Sequence, residues 1–548
     1  MTLIDILLIA ALAAFVAAWW WRGLPRRPLV LAGLAAAALA LGVAGVLDDR
    51  WQDGVGGAVG LVALVVLGVN RLRKAKSRTG VPFASGTAFG LLAAGGVAAI
   101  LLFPLWPLPK PGGPHPVGVR TFEVVDAGRL GVFAAGPNEP RRLLVRVWYP
   151  AGAVAGRQRA RYFTEAEAGA TAESVGSLVG FPPFFTYVKH VRTHSHLDAP
   201  LLPGAARLPV VFYSHGYTSY LAQNTALMED LASHGYVVYS LQHTYDSAAT
   251  VFPNGDVAPA DPELSRRGKT TASEKARDEA QALAISGETL DARLEGYLRT
   301  RELALAGESP RLMQSGGVWA ADRIFLHDQL QKGAVPPAIR EIAAAGDLTR
   351  VGEMGMSFGG ATSGTVCMID RRCAAGINLD GGDFPFQAFG TEMPVPFLMF
   401  HSDLGRLYGA LGVKPPTRMR SFNEFSYEAF ATAGMRRDIY RVMLKDAQHL
   451  GLSDSALFVR RPVRDPLFGT TPTKVLIGAQ NDFVRGFFDR HLRGQANGFP
   501  QKQLAAYRGW VSPVDVDAVR AWWGNKTDTE RAAIMARIAA AKKVPPAT

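Results

Sequence analysis

Four apolar runs crowd the start of the chain, at roughly 3–21, 29–47, 55–69 and 83–105, and they constrain its folding more than any other feature. A hydrocarbon core offers no water to backbone amides, so a chain that enters it must do so as helix or closed barrel. About 20 apolar residues span that core, with a lower limit near 17. The first, second and fourth runs meet this length. The third is short and crosses only if Gly54 and Asn70 are drawn in or its flanks snorkel. Residues 1–109 therefore read as a membrane anchor of about four helices. A proline-rich connector, Pro104 to Pro116, leads into a soluble domain at 110–548.

Charges between the runs set the expected orientation. Arg22, Arg26 and Arg27 follow the first run, and Arg71, Arg73, Lys74, Lys76 and Arg78 follow the third. The loop between the second and third is net acidic, with Asp48, Asp49 and Asp53 around Arg50. The positive-inside rule then puts the first and third loops in the cytoplasm, leaving the N-terminus and the soluble domain on the extracytoplasmic side of the cytoplasmic membrane. Trp19, Trp20, Trp21 and Trp106 sit at interfacial positions. The charges of the first run follow its apolar stretch, which is the wrong order for a signal peptide. No charged residue interrupts the middle of a run, so nothing suggests an ion path.

The formal net charge of +12 is spread along the chain, apart from the clusters beside apolar runs. It reads as a topology signal and not as a nucleic-acid surface. With only two cysteines, Cys367 and Cys373, a disulfide scaffold and a cysteine metal site are both excluded. The two could pair in an oxidising compartment or remain buried thiols.

In the soluble part, residues 119–125 and 142–149 read as strands, and 150–205 as mixed loops. His190, His194 and His196 in that stretch have a conceivable metal spacing, but a polar surface loop is the plainer reading. Leu208–Ser214 and Gly235–His243 are continuous apolar runs of the kind buried in parallel sheets, with a helical pattern between them. A charged, helical insertion follows at 258–331. Further short strands end near Met354, Asp380, Asp403 and Leu444, and 475–494 is an amphipathic helix. The tail beyond Gly509 is polar and reads as peripheral.

Within this pattern Gly355-Met356-Ser357-Phe358-Gly359 is a G-x-S-x-G sequence set between a strand and a helix, the setting of a nucleophile elbow. A serine hydroxyl is a weak nucleophile until a histidine takes its proton and an acid orients that histidine. In this architecture the order along the chain is serine, acid, histidine. His449 follows the last strand in a loop and is the expected base, ahead of His401 and His491. Asp380 and Asp403 both end strands after the elbow, with Asp383 as a third acid, and the pattern leaves them open. The backbone N–H groups of Tyr217 and Phe358 are the expected oxyanion donors. His215 is expected to support the first of these turns, and His243 to line or support the same rim.

Together Phe212-Tyr213-Ser214-His215-Gly216, Gly235 through Val238 leading to Gln242-His243, the elbow with Gly360, Asn378-Leu379-Asp380-Gly381 and the late His449 form a recognisable set. From about Val117 to Gly494 the chain resembles the secreted and intracellular type II platelet-activating factor acetylhydrolases and their bacterial relatives. The resemblance implies an α/β-hydrolase fold and favours Asp380 as the acid. It also implies cofactor-free, metal-free hydrolysis of short-acyl or oxidised phospholipid esters. Met356 replaces the family's usual histidine before the nucleophile, and Tyr217-Thr218 replaces its glycine-leucine turn. Both changes alter the pocket lining. A broad carboxylesterase, polyester hydrolase or peptidase of the same fold is the first alternative. A non-catalytic membrane scaffold is the second, and the intact Ser/Asp/His set weighs against it.

Overall fold

The computed structural model describes residues 1–74, 83–130, 132–133, 135–136, 138–178, 180–265, 272–308, 310–383, 385–406 and 423–542. Lys76 and Arg78, used above to orient the third apolar run, lie outside the described residues. The chain divides into two compact units. One comprises Met1–Leu108, Arg161–Arg192 and Leu457–Pro466, and the other Pro109–Ala160, Thr193–Ala456 and Leu467–Thr548.

The first unit is built on helices α1 (Leu3–Trp20), α2 (Arg27–Leu47), α3 (Trp51–Lys74) and α4 (Phe83–Leu102). Helices α1 and α2 and the Trp51–Leu72 part of α3 are long and apolar enough to cross a membrane, while Gly86–Leu102 is a shorter apolar helix. The third run is thus longer than its composition implied. Asp53 in its first turn is acidic and lies where the helix dipole favours that sign. Thr2 and Asp5 form a capping box at the start of α1. Asp5 also pairs with Arg50 Nε at 2.9 Å, both side chains being buried, and Arg50 Nη1 donates to the Phe103 carbonyl at 3.0 Å. One arginine therefore ties the start of α1 and the end of α4 to the loop before α3.

Two stretches far along the chain belong to this unit. In the first of them, residues expected as loops form a 3-10 helix, Pro182–His190. The ring of Trp51 meets Phe103, Phe181 and Phe184, and Lys189 binds Asp49 at 2.6 Å. These short aromatic turns carry no extended periodicity, which hid them in the sequence.

An eleven-stranded sheet forms the second unit. Its strands are β1 (Val117–Leu130), β2 (Pro140–Pro150), β3 (Arg159–Arg161), β4 (Arg192–Leu197), β5 (Leu208–Ser214) and β6 (Val237–Gln242). The set is completed by β7 (Gly346–Met356), β8 (Cys373–Leu379), β9 (Phe397–His401), β10 (Ile439–Leu444) and β11 (Val511–Pro513). Their order is β11-β10-β9-β8-β7-β5-β6-β2-β1-β4-β3. From β6 through β10 all neighbours are parallel, and β2 and β11 join antiparallel. This is the mostly parallel sheet of an α/β-hydrolase. Helix α5 (Thr225–Ser233) makes the β5–β6 crossover. The chain then passes through the insertion, α6 (Ala272–Ser286), α7 (Leu290–Leu303) and α8 (Pro310–Gln331), and through α9 (Pro337–Ala345). It returns as β7 on the other side of β5. Ligands bind outside the carboxyl ends of strands at such a switch point.

Valines and aromatics of the central strands pack against Leu326, Leu330, Ile339 and Ile342 of α8 and α9. Helix α10 (Phe358–Ile369) follows β7, and α11 (Thr473–His491) buries Phe483, Phe487 and Phe488 completely.

The tail corrects its reading as peripheral. It supplies edge strand β11, and helices α12 (Asp517–Gly524) and α13 (Asp528–Ala541) place Val519 and Ile538 in one apolar cluster with Leu294 and Leu298 of α7. Arg537 binds Glu295 at 2.6 Å, and Arg301 Nε reaches the Ala541 carbonyl at 2.7 Å. Apolar positions thinly spaced among charges are easily taken for a solvated face until their partner is known.

Candidate active site

Register brings the expected residues together. Ser214 of β5 pairs with Gly355 of β7, and Met356 of β7 with Leu379 of β8. The turns after three adjacent parallel strands therefore open at one level. Ser357 occupies the elbow with φ 54° and ψ −122°, a region that L residues rarely adopt and that costs on the order of 1–3 kcal/mol. A Cβ on Gly355 would lie 2.2 Å from the Gly359 backbone, and one on Gly359 only 2.0 Å from the Ser214 carbonyl. Strand and helix can cross this closely only with glycine at both positions.

His449 Nε2 is 2.9 Å from Ser357 Oγ, and His449 Nδ1 is 2.7 Å from Asp380 Oδ2. The acid side chain is almost inaccessible, while that of His449 is 45% exposed. Burial pushes the Asp380 carboxyl up, but the nearby His401, with Nδ1 3.8 Å away, and the hydrogen bond from His449 outweigh it and hold the group well below the usual carboxylate range. Asp380 Oδ1 accepts the Ser402 N–H at 2.9 Å as well. Burial works to lower His449, and its hydrogen bond to Asp380 and that charge leave it above its ordinary value.

Asp403 does other work. Its carboxylate accepts the Asp446 N–H at 2.7 Å and the Gly405 N–H at 2.8 Å, so it holds the loop that carries His449 without touching the imidazole. Asp383 is buried elsewhere, accepting the Ala388 N–H at 3.1 Å, and burial raises it to about 6. Of these three acids, Asp380 is the one hydrogen-bonded to His449.

On the other side of Ser357, a Cβ on Gly216 would stand 3.4 Å from the serine Cβ. Tyr217 follows it, and its ring lies 5.2 Å from that of Phe358. His215 and His243 are both fully buried behind this turn and do not line a pocket. Burial, then the neighbouring His243, lowers His215 to about 3, and burial lowers His243 to about 4.

Sequence reasoning missed Trp319 and Asp322 of α8, Asn378 of β8 and Ser402. The Trp319 ring stands 4.9 Å from Phe358 and 6.2 Å from Tyr217. Asn378 takes the Gly381 N–H at 2.7 Å and so steadies the turn after Asp380. A signal existed for Asn378, which stands inside a matched motif. For α8 none did, because an insertion carries no strand register to place it. Cys367 of α10 and Cys373 of β8 form a disulfide joining the helix after the serine to the strand before the acid.

Among known proteins, residues 104–303 match the family described as "Platelet-activating factor acetylhydrolase, isoform II". The match covers β1 to β6 and most of the insertion, and ends before the elbow. The platelet-activating factor acetylhydrolase of Canis lupus familiaris is 26% identical over 215 residues, covering 39% of this chain and 44% of that protein. The one of Cavia porcellus is 28% identical over 220 residues, covering 39% and 44%. The chain thus spans less than half the length of the curated relatives it matches. Among solved structures, a ferulic acid esterase from Streptomyces cinnamoneus is similar at a TM-score of 0.47 and 23% identity, over 72% of this chain and 94% of that one. The matched strands and insertion are thus similar to a platelet-activating factor acetylhydrolase, isoform II domain.

Proposed function

We propose that the protein is a membrane-anchored serine ester hydrolase acting on short-acyl or oxidised phospholipids. Residues 1–109 serve as anchor and 110–548 as catalytic region. The observation that carries this reading is the line from Ser357 Oγ through His449 to Asp380, at 2.9 and 2.7 Å, on a strained elbow. Ser357 attacks the ester carbonyl while His449 Nε2 takes its proton, and Asp380 stabilises the imidazolium that forms. The amides of Tyr217 and Phe358 receive the developing oxyanion. His449 then protonates the departing alkoxide, leaving an acyl-enzyme. Water attacks that ester with the same histidine as base, which releases the carboxylic acid and restores Ser357.

An extracytoplasmic catalytic region is supported twice. The basic loops after α1 and α3 argue for it, and so does the Cys367–Cys373 disulfide, since such bonds persist in oxidising compartments.

Labelling with a fluorophosphonate, with Ser357→Ala beside wild type, tests the chemistry. Assays on p-nitrophenyl esters of rising chain length and on a 2-acetyl phospholipid test the substrate. Wild type should label and should prefer short acyl groups. A wild type that neither labels nor hydrolyses any ester would sink the proposal. Cytoplasmic reporter activity from a fusion after Gly113 would overturn the topology.

A further inference from the structure

Behind the turn after β5 lies a second Ser–His–Asp alignment. Ser214 Oγ is 3.1 Å from His243 Nε2, and His243 Nδ1 is 2.9 Å from Asp322 Oδ2. None of the three residues is more than 1% exposed, and Trp319 lies flat on His243 with ring centroids 3.8 Å apart. No ester reaches this serine, so the alignment is not a second catalytic centre.

Its neighbours fix the direction of every hydrogen bond. Asp322 accepts Arg141 through Nε at 3.1 Å and Nη2 at 2.7 Å, and Arg129 Nη1 at 2.8 Å. An ionised carboxylate so placed requires a proton on His243 Nδ1, which leaves Nε2 to accept the Ser214 hydroxyl. The backbone N–H of His243 donates to His215 Nε2 at 3.2 Å. His215 therefore carries its proton on Nδ1, 2.7 Å from the Gly216 carbonyl. That carbonyl also accepts the Ser219 N–H at 3.0 Å, closing a turn whose third residue, Thr218, has φ 64°, as a type II turn demands.

In a trans peptide the carbonyl and the next N–H point in opposite directions. Two donors that hold the Gly216 oxygen therefore also set where the Tyr217 N–H points. We propose that His243, locked by Asp322 and Ser214, acts with His215 as a pair of positioning residues that aim the Tyr217 amide at the oxyanion above Ser357. The inference rests on the ester hydrolase reading above. It makes α8 of the insertion part of the catalytic machinery, through a residue that touches no substrate.

Side-chain amides separate this role from simple filling of space. Asparagine sets its amide nitrogen near the position of Nδ1, and glutamine near that of Nε2. In full-length, detergent-solubilised protein, His215→Gln should lower kcat for p-nitrophenyl acetate by about 10²-fold, the low end for losing one oxyanion donor, with KM held within about twofold. Affinity for a trifluoromethyl ketone should fall by the same factor, because its hemiketal oxyanion uses the same donors as the transition state. His215→Asn should lose far less in both. His243→Asn, which keeps a donor for Asp322, should likewise be milder than His243→Gln. Where a histidine variant does not fold, Ser214→Ala carries the test, with kcat and ketone affinity falling in step and KM unchanged. Equal losses for the Asn and Gln variants, or a fall in kcat without a matching fall in ketone affinity, would overturn the proposal. A wild type inert to esters and fluorophosphonate fails earlier, and that outcome counts against the hydrolase reading itself.

Discussion

Two Ser–His–Asp alignments of nearly equal geometry stand side by side on neighbouring strands, and their differences show what such an alignment needs before it can react. In Ser357–His449–Asp380 the serine sits at φ 54° on an elbow, and the histidine side chain is 45% exposed. Ser214, by contrast, ends a regular strand, and its histidine is sealed under Trp319. The electrostatics diverge in the same sense. His449 is held above its ordinary value by Asp380, while burial lowers His243 to about 4. Asp322 has two arginines to share its charge with, whereas Asp380 turns its charge toward histidines and the Ser402 amide. In the proposed reading one imidazole takes a proton from Ser357, and the other stays neutral and holds backbone in place.

The sharpest break between the two is Ser357→Ala against Ser214→Ala. The first should cost about 10⁶-fold in kcat, as loss of a triad nucleophile does, and the second no more than a small factor. Comparable losses, measured by p-nitrophenyl ester turnover, would dissolve the distinction.

Next in size is Asp380→Asn, expected to cost about 10⁴-fold by releasing the wrong histidine tautomer. Asp403→Asn, which only loosens the loop at Asp446, should cost far less. A reversal of that order in steady-state assays would move the acid.

Acid pH sharpens the contrast further. A base must be neutral to accept a proton, so kcat/KM should rise with pH through the His449 pKa, with its limb above 6.5 because the pKa is raised. His243 and His215 are depressed instead. The unfolded chain binds their protons near pH 6.5 and the native chain only near 4 and 3. Their contribution to stability is therefore present above the unfolded value and is lost as pH falls through the native one, on the order of a few kcal/mol at most. Thermal unfolding followed from pH 7 to 4.5 should show a falling Tm that flattens in His243→Gln. An unchanged slope would contradict the assignment.

The smallest effect expected is that of Cys367→Ser. A disulfide across a sequence separation of 6 closes a short loop, so its loss should cost about 2 kcal/mol of stability and leave kcat nearly unchanged. A large drop in kcat in the folded variant would mean that the bridge also sets the spacing of serine and acid.

Much of this site was legible in the sequence, for local reasons. The elbow is a five-residue backbone pattern that only glycine can flank, and buried parallel strands are continuous apolar runs. Ser357, His449 and the Tyr217 and Phe358 turns could be named because each follows such a run directly. Asp380 and Asp403 could not be separated by pattern, since both end a strand. The choice depends on which strand neighbours β7, and that is a fact of sheet order. Similarly, His243 read as a rim residue because its strand ends there, but burial depends on what covers it, and Trp319 comes from 76 positions further along.

The sequence by itself therefore determined the apolar helices and the strand-borne elbow, because those follow from composition and short-range backbone rules. Only the tertiary structure decided which carboxylate meets His449, that the C-terminal tail clamps the insertion, and that Asp322 stands behind the turn after β5. Those contacts join residues far apart in the chain, and no period of 2 or 3.6 encodes them.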